Sequence, residues 1–255
     1  MGSAGRRGTV ERMTVRAVLW DVDDTLFDYT GSDRAGALRH IEAEGLLSRY
    51  DTAEQALGLW REVMEVQFAR FLAGELGFRE HRRERARAFL GAPLGDREAD
   101  AWFARYIAHY EAAWTLFPDA RPALDALAPH YRQAVLSNSG TRHQKRKLRA
   151  LGVRRRFERV LCADRVGWPK PDPRAFHAAC AALRLAPGEV VYVGDQLQGD
   201  AVGARDAGLH AVWLDRTGEA AEAVVPEGVR RIGGLGELPL LLRGVIDFGA
   251  PSTFG

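Results

Sequence analysis

Five short apolar runs punctuate the chain: Val15–Trp20, Ala134–Leu136, Val160–Cys162, Val190–Val193 and Ala211–Leu214. They are rich in β-branched or large apolar residues and do not alternate cleanly with polar ones. That is the pattern of strands buried on both faces of a parallel sheet. Helical patterns lie between them. Asp172-Pro173 opens one that continues through Phe176, Ala179, Cys180 and Leu183, and Asp200 opens another that ends at Gly208, a residue suited to a helix C-terminus. The alternation predicts an α/β fold with a doubly wound, mostly parallel, Rossmann-like sheet.

The spacing of the runs is uneven. More than a hundred residues separate the first from the second, far beyond one crossover helix. Within that stretch Leu57, Trp60, Val63, Met64, Phe68, Phe71 and Leu72 recur at three and four residues, as do Trp102, Phe103, Tyr106, Ile107, Tyr110 and Trp114. Pro118, with Asp119 as a helix cap, marks the return to the sheet. The predicted organisation is an α/β core from residues 14–27 and 118–246, interrupted by an α-helical cap domain over 28–117. Residues 1–13 and 247–255 are Gly-rich ends without apolar periodicity, read as a disordered leader and a flexible tail. The strand pattern begins directly after Met13, which is an alternative start of translation.

Composition narrows the function classes. The 255 residues are 46% hydrophobic and 27% charged with a net charge of +2, ordinary for a soluble globular chain and unlike a dedicated nucleic-acid or membrane-surface binder. Neither a signal peptide nor an apolar run of roughly 20 residues is present, so a cytoplasmic protein is expected. The two cysteines, Cys162 and Cys180, provide no disulfide framework. The arginine-dense stretches Arg79–Arg87 and Arg142–Arg159 read as solvated helix faces, and the seven histidines show no ligand spacing. Oligomeric state is not written in the pattern.

The chemistry follows the carboxyl ends of the predicted strands, where open parallel sheets bind ligands. After the first comes Asp21-Val22-Asp23-Asp24-Thr25, in which Asp21 and Asp23 share one side of an extended segment. After the second, Ser137-Asn138-Ser139-Gly140 offers a hydroxyl and backbone N–H groups to an anion. Lys170 stands among Pro169, Pro171 and Pro173 on a stiff loop. After the fourth strand, Asp195 and Asp200 add two more carboxylates. Four carboxylates crowding one pocket repel, and a hard cation such as Mg²⁺ resolves the conflict. Among the three lysines and 33 arginines, Lys145 and Lys147 look interchangeable with the arginines around them, whereas Lys170 suits a point contact with a phosphoryl oxygen.

The segments DVDDT (Asp21–Thr25), LSNSG (Leu136–Gly140), GWPKPDP (Gly167–Pro173) and VGDQLQGDAVGARDAGL (Val193–Leu209) together resemble the haloacid dehalogenase superfamily, and the helical insert is similar to the cap of one of its branches. The resemblance implies Asp21 as the nucleophile that forms an aspartyl-phosphate and as a metal ligand. It implies Asp23 as general acid/base with its carbonyl on Mg²⁺, and Thr25 as orienting that loop. Ser137 and Lys170, with Asn138 and Val22, would hold the phosphoryl group; Asp195 would bind the metal, and Asp200 would support the metal shell or Lys170. Family dehalogenases lack the acid/base carboxylate at the position of Asp23, so a phosphatase of a small phosphorylated metabolite is implied ahead of a dehalogenase. Family phosphomutases keep that carboxylate but typically follow it with Gly-Val or a similar pair, and Asp24-Thr25 is more like the phosphatases. A non-catalytic module that binds a phosphorylated ligand is the alternative from another class. Asp24-Thr25 and the stretch DDTLFD are similar to nucleotidase and acylneuraminate-phosphate phosphatase branches. Phe27, Asp28 and Tyr29, next to the first motif, are expected near the leaving group.

Overall fold

A computed structural model describes residues 14–218 and 224–243. The predicted leader 1–13 and tail 247–255 lie outside the described residues, as do 244–246 of the predicted core. The elements in chain order are β1 (Ala17–Trp20), α1 (Tyr29–Ala43), α2 (Ala53–Leu72), α3 (Phe78–Leu90), α4 (Asp96–Ala112), α5 (Ala120–Leu127), β2 (Arg132–Ser137), α6 (Thr141–Ala150), β3 (Arg159–Cys162), α7 (Ala163–Val166), α8 (Pro173–Leu183), β4 (Val190–Gly194), α9 (Gly203–Asp206), β5 (His210–Leu214), β6 (Val229–Ile232) and α10 (Leu238–Arg243). The described residues form two compact units, one over 28–115 and one from the remainder.

The α/β unit is a six-stranded, wholly parallel sheet in the order β3-β2-β1-β4-β5-β6. After β3 the chain crosses back over β1 to lay down β4, so strand order reverses beside β1 and opens a crevice at the carboxyl ends. Register sets the height of each motif. Trp20 pairs with Val135 on one side and Val193 on the other, so the residues following these three strands emerge at one level. The Asp21 N–H continues the ladder to the Val193 carbonyl at 2.9 Å. Leu19, Leu136, Tyr192 and Trp213 pack with Phe176, Ala179 and Leu183 of α8 in a dry core. All five predicted strands are present. The sixth, β6, was not anticipated, because its Val-Arg-Arg-Ile sequence presents half-exposed arginines on an edge strand rather than an apolar run.

Two predicted caps turn out differently from each other. Asp172 caps α8, accepting from the Arg174 N–H, with Pro173 at the first helical position. Asp119 stands at the N-cap position of α5 but makes no side-chain capping bond; its carboxylate accepts from the two terminal Arg216 guanidinium nitrogens and from the Leu235 N–H instead. The helix expected to open at Asp200 is also different. Leu197–Val202 winds as a π-helical turn that continues into α9, placing Asp200 inside the turn.

The helical unit consists of α1–α4. Gly36 of α1 lies so close to Tyr110 of α4 that a Cβ would meet the Tyr110 Cα at 2.5 Å, so the two backbones touch there. Thr52 caps α2 through the Gln55 N–H, and Gly91 ends α3 at φ 62°. Trp60, Phe89, Trp102 and Tyr106 form an aromatic core around His40. The His40 ring is fully buried, and neither nitrogen has a hydrogen-bond partner among the described residues. Burial pushes its pKa down to about 4. The unfolded chain takes up this proton near 6.5, whereas the folded chain does so only near 4. Stability from a neutral His40 is therefore complete above pH 6.5 and is lost as the pH falls toward 4, by about 3 kcal/mol in all. Urea unfolding at a series of pH values is expected to show a steeper acid loss for the wild-type chain than for His40→Gln, and parallel profiles would refute this account. Among the described residues no helix is long and apolar enough to cross a membrane.

Candidate active site

Three carboxylates, two buried and the third half-buried, meet at the carboxyl ends of β1 and β4. Asp21 leaves β1, Asp195 leaves β4, and Asp200 comes from the π-helical turn. Each contributes an oxygen to a cluster whose members lie within 4.8 Å of one another. Lys170 enters among them, its Nζ 2.6 Å from Asp21 Oδ1, 2.6 Å from Asp200 Oδ1 and 2.7 Å from the Tyr192 hydroxyl. Burial pulls the Lys170 ammonium toward neutrality, but Asp21 and Asp200 outweigh it and hold its pKa above the usual lysine value. Burial pushes the Asp21 pKa well above the usual carboxylate range; Lys170 opposes the shift, and Asp200 and Asp195 add to it. Asp195 is raised to about 7, first by burial and then by Asp200. One ammonium does not balance three carboxylates in a buried pocket.

The oxygens of these carboxylates are not equally committed. Asp200 is fully engaged, Oδ1 with Lys170 and Tyr192, Oδ2 with the Gln196 N–H at 3.1 Å. This tight seat requires Gly194, where a Cβ would stand 2.3 Å from Asp200 Oδ2. Asp195 Oδ1 accepts from the Thr25 hydroxyl at 3.0 Å, and its carbonyl accepts from the Trp213 indole. The second oxygen of Asp21 takes no hydrogen bond from the described residues. Hard, partly uncommitted oxygens with an excess of negative charge fit a divalent cation held chiefly by Asp21 and Asp195, with Asp200 steadying Lys170.

Beside this cluster lies a cavity of about 90 Å³ lined by Asp21, Asp23, Ser137, Asn138, Ser139, Lys170, Gln196 and Gly199. Ser137 Oγ accepts from the Ser139 N–H and from Gln144 Nε2, which leaves its own proton to be donated. Asn138 braces the lysine loop from both sides: its carbonyl oxygen accepts from the Lys170 N–H at 2.7 Å, and its amide donates to the Lys170 carbonyl at 2.9 Å. Val22 is buried, and its carbonyl accepts from the Leu26 and Phe27 N–H groups, which folds the loop back on itself. Its own N–H donates to none of the described residues.

Three side chains lie elsewhere than their sequence context predicts. The Asp23 carboxylate does not join the other three; it turns to α6, ion-paired with Lys147 and accepting from Gln144 Nε2 at 2.6 Å. Lys147 is consequently not an exchangeable surface charge. It is buried, with its ammonium 4.1 Å from the centre of the Phe27 ring. Phe27, expected near the leaving group, is fully buried as that ring, and Asp28 is engaged as the cap of α1 through the Gly31 N–H. Tyr192 was missed because a tyrosine inside an apolar strand reads as core, although its hydroxyl lies between Lys170 and Asp200. Gln144 and Lys147 had a readable signal. They fall at the buried positions of α6 beside Thr141 and Leu148, where apolar residues are the norm.

The profile of haloacid dehalogenase-like hydrolases matches residues 15–208. The chain is 35% identical over 185 residues to a phosphoserine phosphatase of Thermus thermophilus, covering 71% of this chain and 67% of that protein. It is 28% identical over 237 residues to the human N-acylneuraminate-9-phosphatase, covering 91% and 95%. The fold matches that of YfnB from Bacillus subtilis, a HAD-hydrolase solved with magnesium, at a TM-score of 0.72 and 20% identity over 90% of this chain and 99% of that one. The chain belongs to the haloacid dehalogenase-like hydrolases. Its curated relatives set it on the phosphatase side of that family, among the phosphoric monoester hydrolases.

Proposed function

We propose that the protein is a Mg²⁺-dependent phosphatase that passes the phosphoryl group of a small soluble metabolite through Asp21 to water. The observation that carries the reading is the meeting of Asp21, Asp195 and Asp200 around Lys170, next to a cavity with hydroxyl and backbone donors. The cation, held by Asp21, Asp195 and the Asp23 carbonyl, would screen the negative charge of nucleophile and phosphate.

The chain's own groups perform the rest. Lys170 and the Ser137 hydroxyl hold phosphoryl oxygens, helped by the Val22 N–H, while Asn138 fixes the lysine loop. A carboxylate oxygen of Asp21 bonds to phosphorus as the bond from phosphorus to the leaving oxygen breaks, and Asp23 gives that oxygen its proton. Water then bonds to phosphorus and its proton passes to Asp23. The Asp21–phosphorus bond breaks, releasing phosphate and restoring the Asp21 carboxylate and the protonated Asp23 carboxyl group. Thr25 orients the loop by holding Asp195.

The relatives include phosphatases of phosphoserine, N-acylneuraminate 9-phosphate and glyceraldehyde 3-phosphate, which supports a small hydroxylated leaving group such as a sugar or acid. A cytoplasmic setting accords with two buried free cysteines. Purified protein is expected to hydrolyse p-nitrophenyl phosphate with Mg²⁺, to lose at least about 100-fold of that rate in excess EDTA, and to recover on adding Mg²⁺. Undiminished turnover in EDTA would refute the metal requirement. Release of halide from a haloacid, without release of phosphate from any phosphoester, would refute the assignment as a phosphatase.

A further inference from the structure

We propose that Lys147 and Gln144 are positioning residues for the proton transfer to the leaving group: together they clamp the Asp23 carboxylate in its donating geometry. The inference rests on the reading of Asp23 as the acid/base of the proposed phosphatase. Neither clamp residue lines the cavity: Lys147 acts through Asp23, and Gln144 through Asp23 and Ser137.

The clamp takes both oxygens of one carboxylate. Lys147 Nζ pairs with Asp23 Oδ1, and Gln144 Nε2 donates to Oδ2 at 2.6 Å. The donors stand one turn apart on α6, so a single helix fixes both the position and the tilt of the carboxylate plane. The Asp23 side chain remains 30% exposed. Without the clamp it would exchange rotamers at the rim of the cavity, and a displacement near 1 Å is worth about 100-fold in rate.

The supports of the clamp are built into the same loop. Phe27, whose ring underlies the ammonium, donates its N–H to the Val22 carbonyl and accepts from the Asp24 N–H. Carboxylate, ammonium and ring thus form one assembly around the first motif. Gln144 ties it to the second motif, because its Nε2 also donates to Ser137 Oγ at 3.0 Å. Two acceptors facing one amide group identify the NH₂ end. The other end is left poor: Gln144 Oε1 is buried without a partner among the described residues. A buried lysine and an orphaned amide oxygen are expensive ways to stabilise a helix, since an apolar pair of similar volume commonly does as well. Their arrangement makes sense as geometry imposed on Asp23.

The test exploits leaving groups. Phenyl phosphate expels a basic oxygen that needs a proton, whereas 2,4-dinitrophenyl phosphate expels one that does not. Because kcat/KM reports steps only through phosphoryl transfer to the enzyme, it isolates proton donation from the later attack of water. For the full chain with Mg²⁺, Lys147→Met is expected to lower kcat/KM on phenyl phosphate by about 100-fold and on 2,4-dinitrophenyl phosphate by less than about threefold. Asp23→Asn sets the limit of that selectivity, and Gln144→Leu should fall between it and the wild type. Circular dichroism and thermal melting identify any variant that has not folded; if Lys147→Met is such a case, Gln144→Leu decides by the same ratio. An equal loss on both esters, or none on either, overturns the clamp. Equal losses for Asp23→Asn itself would instead overturn the acid/base reading, and a wild-type chain inert toward both esters would overturn the phosphatase reading.

Discussion

Asp21→Asn is expected to lower turnover of p-nitrophenyl phosphate by at least about 10⁴-fold while leaving the protein as stable as before or more so. The two halves of this expectation come from the same geometry. The amide has no nucleophilic oxygen with which to form a bond to phosphorus. It is also uncharged, and Asp21 stands buried within 4.8 Å of two other carboxylates. Its pKa is pushed well up by burial, with Asp200 and Asp195 adding to the effect, so the ionised form is held against an unfavourable environment. Asparagine removes that repulsion and keeps a carbonyl oxygen for the Lys170 ammonium to meet. Paired measurements of turnover and melting temperature separate a chemical role from a structural one. A variant that is inactive because it is unfolded, or one that remains active, would each contradict the assignment.

Lys170 predicts the opposite pattern. Lys170→Met should lower both activity and stability, the first by about 10³-fold and the second by roughly 3–5 kcal/mol, because it strands buried carboxylates without their counter-charge. The methionine fills a similar volume, so the loss comes from charge rather than packing. Lys170→Arg should also impair turnover severely. The site is built for a compact ammonium with three donors, aimed at Asp21, Asp200 and Tyr192 at 2.6 to 2.7 Å. A planar guanidinium needs more room and a different set of angles. Lys145→Arg, on the same count of charge, should leave activity within about twofold, in keeping with the small effects of surface substitutions. Equal activity of Lys170→Arg and Lys145→Arg, or a Lys170→Met protein as stable as the wild type, would refute this role.

Much of the site was legible because each motif follows an apolar run. A buried parallel strand ends at the crevice, so polar residues after it have one place to go, and Asp21, Ser137, Asp195 and the Lys170 loop could be placed from that alone. The direction in which each side chain turns was not legible. Asp21 and Asp23 share a side of an extended segment, yet Asp23 turns to Lys147 because the loop folds back through the Val22 carbonyl. Asp119 had the sequence of a cap, but Arg216, 97 residues further on, claims its carboxylate. Partners so distant leave no local trace. Lys147 was hidden by its neighbours, a lysine among arginines on a helix whose exposed face dominates its composition. Its position at the i+3 of Gln144 on the buried stripe was the available clue. The edge strand β6 was hidden by its arginines in the same manner.

The account stands most directly on where the phosphoryl group rests between the two half-reactions. Protein mixed with excess 2,4-dinitrophenyl phosphate and Mg²⁺, quenched in acid within the first turnover and digested for mass spectrometry, is predicted to carry one phosphoryl group on the peptide containing Asp21. That group should be lost with hydroxylamine and absent from Asp21→Asn. A phosphoryl group on any other residue, or phosphate released by an Asp21→Asn protein at the wild-type rate, would contradict it.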